Sequence, residues 1–204
     1  MTGSATADLA RAEVLVQRAL GASPRVPLAH LAKGMLLHAR GDPKQAIPEY
    51  ETVVTANRNW VNVLYVLGMC KLLVGSIEET APLVEQAIRF SPRDPFIANW
   101  YMLIGTVHLL KSRAGEAIRW LEKALSVNRE LAFAHGHLAA AYALKGNTER
   151  AAAELAEARR LSGDRRFASL ARLRAARSWG APKIRTLYET TYFAGLRKAG
   201  LSEE

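Results

Sequence analysis

Five histidines, one cysteine and a basic C-terminal segment are the features of this chain that could do chemistry. His135 and His137 lie two residues apart. Two imidazoles can share a metal when both project from one helix face, which needs a spacing of three or four. A spacing of two turns them to different faces, so no metal site is expected. His30 and His135 occupy equivalent positions of an internal repeat, which points to packing. Cys70 has no disulfide partner in the chain and sits among apolar neighbours, where a buried and inert thiol is expected. No phosphate-cradling glycine loop, no Cys-x-x-Cys pair and no nucleophile motif is present. The carboxylates Glu78, Glu79, Glu154 and Glu157 read as solvated helix faces. The chain is therefore read as non-enzymatic and free of cofactors, and the elements that could present a binding surface become the question.

Those elements follow a fixed beat. Small residues recur at Gly34, Gly68, Gly105 and Ala139, at separations of 34, 37 and 34 residues. Twelve residues after each stands Ala46, Thr80, Ala117 or Ala151, and seven further on stands Val53, Ala87, Ala124 or Ala158. Glycine inside a helix costs roughly 1 kcal/mol against alanine, so three in register need a reason. Close approach of two helix backbones supplies one. The pattern is that of an array of helix hairpins. Asp42-Pro43 and Asp94-Pro95 read as N-caps followed by proline, and Ser76 with Glu79 as a capping box. The three extra residues before Gly105 are expected to lengthen the next helix at Pro95-Phe96-Ile97. Pro48 and Pro82, one turn into second helices, predict short or kinked helices.

These residues resemble the tetratricopeptide repeat, whose period is about 34 residues. The second block keeps Leu64, Leu67-Gly68, Thr80, Val84, Ala87 and Pro92, with Lys71 where an aromatic is usual. The first keeps Gly34, Leu37, Gly41-Asp42, Ala46, Tyr50 and Val53; the third keeps Tyr101, Ile104-Gly105, Ala117, Leu121 and Ala124. The fourth keeps Leu138-Ala139, Tyr142, Gly146-Asn147, Ala151, Leu155 and Ala158. The resemblance implies an all-α, right-handed superhelical solenoid of antiparallel helix hairpins. It divides the chain into a half repeat at 1–26, repeats at 27–60, 61–97, 98–131 and 132–165, and a degenerate basic capping hairpin at 166–204.

The resemblance also implies a concave groove lined by the first helix of each repeat, with a protein or peptide as ligand. Carried onto this chain, the groove positions include Leu31, Met35 and His38, then Asn62, Tyr65, Met69 and Leu72, then Asn99, Met102, Thr106 and Leu109, and finally Phe133. That surface is mostly apolar, and methionines suit it to varied apolar partners such as an amphipathic helix or an extended peptide. The lysine, arginine and asparagine clamp that some such proteins use on acidic peptide tails has no counterpart, since Leu31, Met35 and Val66 stand there.

Charge is concentrated at the end of the chain. Residues 165–204 contribute +6 of the net +9, chiefly through Arg165, Arg166, Arg172, Arg174 and Arg177. A basic cluster can meet nucleic acid or another acidic surface, but only Phe167 and Trp179 are interleaved, which makes nucleic acid a poor expectation. Ile184, Leu187, Tyr188, Thr191, Tyr192, Gly195 and Leu196 form one helical face that must cover something. It either seals the last repeat or folds into the groove. Residues 192–201 also resemble the C-terminal ends of bacterial multidomain proteins in which cyclase or winged-helix domains precede the repeats, so a regulatory segment of a larger signalling protein is an alternative. The half repeat leaves the helix around Leu9 to Leu20 uncovered and open to self-association. No apolar stretch reaches the roughly 20 residues of a membrane span, and no secretory signal is visible; a cytoplasmic setting is the default.

Overall fold

The computed structural model describes residues 3–163, 165–176 and 179–204. Helices run in the order α1 (Gly3–Ala22), α2 (Pro27–Ala39), α3 (Pro43–Ala56), α4 (Val61–Val74), α5 (Ile77–Phe90), α6 (Ile97–Leu110), α7 (Ala114–Val127), α8 (Ala132–Leu144) and α9 (Thr148–Leu161). Then come a 3₁₀ turn at Arg166–Ala168, α10 (Leu170–Ala175), α11 (Pro182–Tyr188), a π turn at Glu189–Phe193 and α12 (Ala194–Lys198). The described residues form no strand. α2 pairs with α3, α4 with α5, α6 with α7 and α8 with α9; each hairpin stacks on the next through α3 on α4, α5 on α6 and α7 on α8.

The small residues do their work inside the hairpins. A Cβ on Gly68 would lie 3.2 Å from the Thr80 carbonyl oxygen, a true approach of backbones. On Gly34 it would lie 2.7 Å from the Tyr50 ring, and on Gly105 2.7 Å from Leu121. In those hairpins the vacated space is filled by a partner side chain. Asp42 caps α3, its carboxylate accepting the Gln45 N–H at 3.0 Å and the Gln45 side-chain amide at 2.7 Å. Asp42→Ala is expected to cost about 1 kcal/mol in chemical denaturation, without changing the groove described below.

Three local expectations need correction. The extra residues before Gly105 do not lengthen α6. Its first residue is Ile97 and it has the same 14 residues as α4; two of the three extra residues sit in the loop 91–96, and the third places Gly105 ninth in its helix where Gly68 is eighth. In that loop the Asp94 carboxylate accepts the Phe96 N–H at 2.9 Å, turning the chain before the helix can begin. Ser76 makes no side-chain capping bond to the α5 backbone; Glu79 pairs with Lys71 at 2.9 Å and is also bonded by the Ser76 side chain. Pro48 and Pro82 do not shorten their helices, since α3 and α5 also keep 14 residues each.

Helices α6 and α8 are apolar on nearly every side, and a helix of that kind must be covered on every side. Their partners α7 and α9 cover one flank, where Tyr101, Ile104, Leu138 and Ala139 are buried. The C-terminal segment covers the other. From Pro182 to Lys198 it runs as one helical stretch past the end of α4, across α6 and onto α8. Within it the π turn buries three consecutive residues, Thr191, Tyr192 and Phe193, together with Tyr188 and Leu196. A single face of a 3.6-residue period does not hold three consecutive positions, and Phe193 is missing from the face read in the sequence. The chain end is tied back by Leu170 and Ala171 N–H groups donating to the Ser202 and Glu203 carbonyls at 2.8 and 2.9 Å.

Candidate functional site

The first helices α2, α4, α6 and α8 share one inner face, and the C-terminal helix divides it. Over α6 and α8 the groove is filled. Gly195 lies against Ala140 of α8, the Tyr192 ring stacks on His137 at 4.3 Å, and Gly136 faces Phe167 and Tyr192. Trp179, Tyr188, Tyr192 and Phe193 pack edge-on or tilted against one another and belong to the same core as Leu109, Leu110 and Ala140. At the end of α4 the segment forms a wall, where the Ala181 N–H donates to the Leu73 carbonyl at 2.7 Å. Gly180 there has φ +84° and so close a contact that a Cβ would meet the Leu73 oxygen at 2.7 Å.

In front of that wall the groove is open. A cavity of about 460 Å³ over α2 and α4 is bordered by Leu31, Met35, His38, Ala39, Tyr50, Asn62, Val63 and Val66. A second, of about 620 Å³, shares His38 and continues past Lys44, Met69 and Leu73 to Gly180 and Ala181. Met35 is 59% exposed at its mouth. Burial pushes the His38 imidazole below its ordinary pKa, so it meets this space as a neutral ring. The Tyr50 hydroxyl is buried without a hydrogen-bond partner among the described residues. Its phenol is raised, first by burial and then by Cys70, and therefore stays protonated.

The groove residues read from the sequence thus separate into two sets. Leu31, Met35, His38 and Asn62 border the open part, and Met69 lies at its inner end. Tyr65, Met102 and Phe133 are half-buried against the core, Asn99 is half-buried, and Leu72, Thr106 and Leu109 are buried. Thr106 donates its hydroxyl to the Met102 carbonyl at 2.9 Å. Leu72, Thr106 and Leu109 are buried and do not border the open cavities.

The basic tail is likewise partly consumed within the fold. Arg174 pairs with Glu189 at 2.8 Å and Glu203 at 3.0 Å and stands over the Phe193 ring. Arg166 lies 5.4 Å from the Phe133 ring centre. Arg165 and Arg172 are exposed, and Arg177 lies outside the described residues. Cys70 is buried and its thiol pushed up to about 12, which makes it unreactive. Among the described residues no three His, Cys, Asp or Glu side chains converge on a metal-sized point, and no helix is long and apolar enough to cross a membrane.

One arrangement escaped the sequence reading. Glu154 is not simply solvated, because it meets His135 Nδ1 at 2.6 Å, and Glu49 meets His30 Nδ1 at the same distance. A signal existed, since both pairs are separated by 19 residues.

The fold and this groove define a class, the α-solenoid of helix hairpins with a concave face. Residues 28–59 match the tetratricopeptide repeat family, and the fold of the described residues is the right-handed superhelical solenoid of solved tetratricopeptide-repeat structures. Its solved structural neighbours include a MamA protein, at 20% identity over 79% of this chain and 86% of that one with a TM-score of 0.67. PilF of Pseudomonas aeruginosa aligns at 18% identity over 95% of this chain and 81% of that one, with a TM-score of 0.68. YrrB, described as a tetratricopeptide-repeat protein with an unusual peptide-binding site, aligns at 15% identity over 91% and 87%, with a TM-score of 0.59. No curated protein matches the sequence.

Proposed function

We propose that this protein is a non-catalytic interaction scaffold that binds an apolar peptide or helix in the open half of its groove, over α2 and α4. The observation that carries the reading is the 460 Å³ apolar cavity with the exposed Met35 at its mouth. An unbranched thioether adapts to irregular apolar partners, and a burial of two or three large side chains there would supply about 1.5–3 kcal/mol each. Asn62 and His38 give the cavity its polar points. The fold supports the same reading, because stacked hairpins build a continuous concave surface while leaving the first helices at one end free to receive a ligand.

Panning a random peptide library against the full chain tests it. Enriched peptides are expected to carry two or three large apolar residues, and Met35→Glu is expected to weaken them at least about tenfold while leaving the melting curve within the small range of surface substitutions. Binders indifferent to Met35→Glu would count against the groove. Binders lost instead with Arg165→Glu and Arg172→Glu would favour an acidic partner at the tail.

A further inference from the structure

Pro24, His30 and Glu49 recur 105 residues later as Arg129, His135 and Glu154. The geometry recurs with them. His30 places Nδ1 2.6 Å from a Glu49 carboxylate oxygen and Nε2 2.9 Å from the Pro24 carbonyl. His135 places Nδ1 2.6 Å from Glu154 and Nε2 3.0 Å from the Arg129 carbonyl. Carbonyl oxygens only accept, and so do ionised carboxylates. Both ring nitrogens can then be bonded only if both carry hydrogen, which is the imidazolium. A neutral ring has one N–H, and the second contact becomes a meeting of lone pairs.

The two clamps hold different things. Pro24 lies in the connection between α1 and α2, and α1 packs chiefly on α2. Val16 is the one side chain of α1 that is buried among those described. On the surface of α1, Glu13 pairs with Arg40 at 2.7 and 2.9 Å. Arg129 lies between α7 and α8, both embedded in the main core. We propose that protonated His30 latches the α1–α2 connection onto α3, and that loss of its proton releases α1 from the solenoid, whereas the equivalent clamp at His135 has no loosely held element to release.

The surrounding charges support the window. His30 faces Glu49 from α3 and Lys33 from its own helix, and Lys33 also pairs with Glu49 at 2.7 Å. The bond to Glu49 and then that to Pro24 hold its pKa above the ordinary value. Burial alone would lower His135, but Glu154, the Arg129 carbonyl and the more distant Glu157 outweigh it. Glu122 and the Arg129 side chain border the same small cavity. A raised imidazole pKa means that the contact is fully present below about pH 6.5 and is lost as pH rises through the raised folded value.

Amide hydrogen exchange on the full chain, corrected for intrinsic rates, is the test. Between about pH 5.5 and about pH 8 the protection of α1 is expected to fall at least about tenfold in the wild type, while α8 and α9 keep theirs. His30→Gln should leave α1 weakly protected at both pH values, and His135→Gln should leave the α1 response as in the wild type. A pH-independent α1 in the wild type would overturn the latch. So would a pH response that survives His30→Gln, or one abolished equally by His135→Gln.

Discussion

Gly195→Val is expected to lower the unfolding free energy by about 3 kcal/mol, seen as a fall of roughly 10 °C in the thermal midpoint. Even the first carbon of a side chain at 195 would stand 2.6 Å from the Ala140 carbonyl oxygen and 2.8 Å from the Ala140 Cα. Those atoms are backbone of α8, which is itself wedged between α9 and the C-terminal helix. They cannot rotate away as a flexible side chain would. The variant must either push α12 off α8 or displace α8, and both expose the apolar surface that the tail covers. A Lys198→Ala control, on the exposed face of the same helix, should stay within about 0.5 kcal/mol of the wild type. An unchanged midpoint for Gly195→Val would mean that α12 does not lie against α8.

Tyr192→Ala comes next, with an expected loss of about 4 kcal/mol by chemical denaturation. The ring is fully buried, stacks on His137, approaches Trp179 at 5.9 Å and Phe193 at 5.3 Å, and touches the space above Gly136. Its removal leaves a cavity walled by α8 and by other aromatic rings, none of which can collapse without breaking its own packing. Tyr192→Phe keeps the ring and should recover most of the loss. Equal losses for both variants would place the effect in the hydroxyl rather than in the packed ring.

Both expectations rest on the tail being part of the core. The sequence shows this segment as one helical face needing cover and leaves open whether it caps the last repeat or enters the groove. What was legible was the need: Ile184, Tyr188, Tyr192 and Leu196 recur at helical spacing as a face that must cover something. What was not legible was the surface it covers, because that depends on close approaches at Gly136, Gly180 and Gly195 to residues far away in the chain. The π turn that also buries Phe193 breaks the very periodicity by which such faces are read. The hairpins themselves were plain, since Gly68 with Thr80 and Gly105 with Ala117 recur at a constant offset within one local unit. The groove was legible by position but not by exposure. Family resemblance places Thr106 and Leu109 beside Met35, and only the path of the last helix separates them.

The consequence for binding is a shortened groove with a built-in end. Trp179, Tyr188, Tyr192 and Phe193 join one hydrophobic cluster with Leu109, Leu110 and Ala140, so the tail is expected to open only with the solenoid itself. On the proposed function, a ligand would meet α2 and α4 as its floor and Gly180–Ala181 as its inner stop. The most direct test is amide hydrogen exchange of the full chain, free and saturated with a peptide recovered by panning. Added protection is expected across residues 28–39 and 61–74, with residues 182–198 unchanged. Protection appearing elsewhere, or faster exchange at 182–198 as the peptide binds, would contradict the fixed wall and make the tail a plug that the ligand displaces.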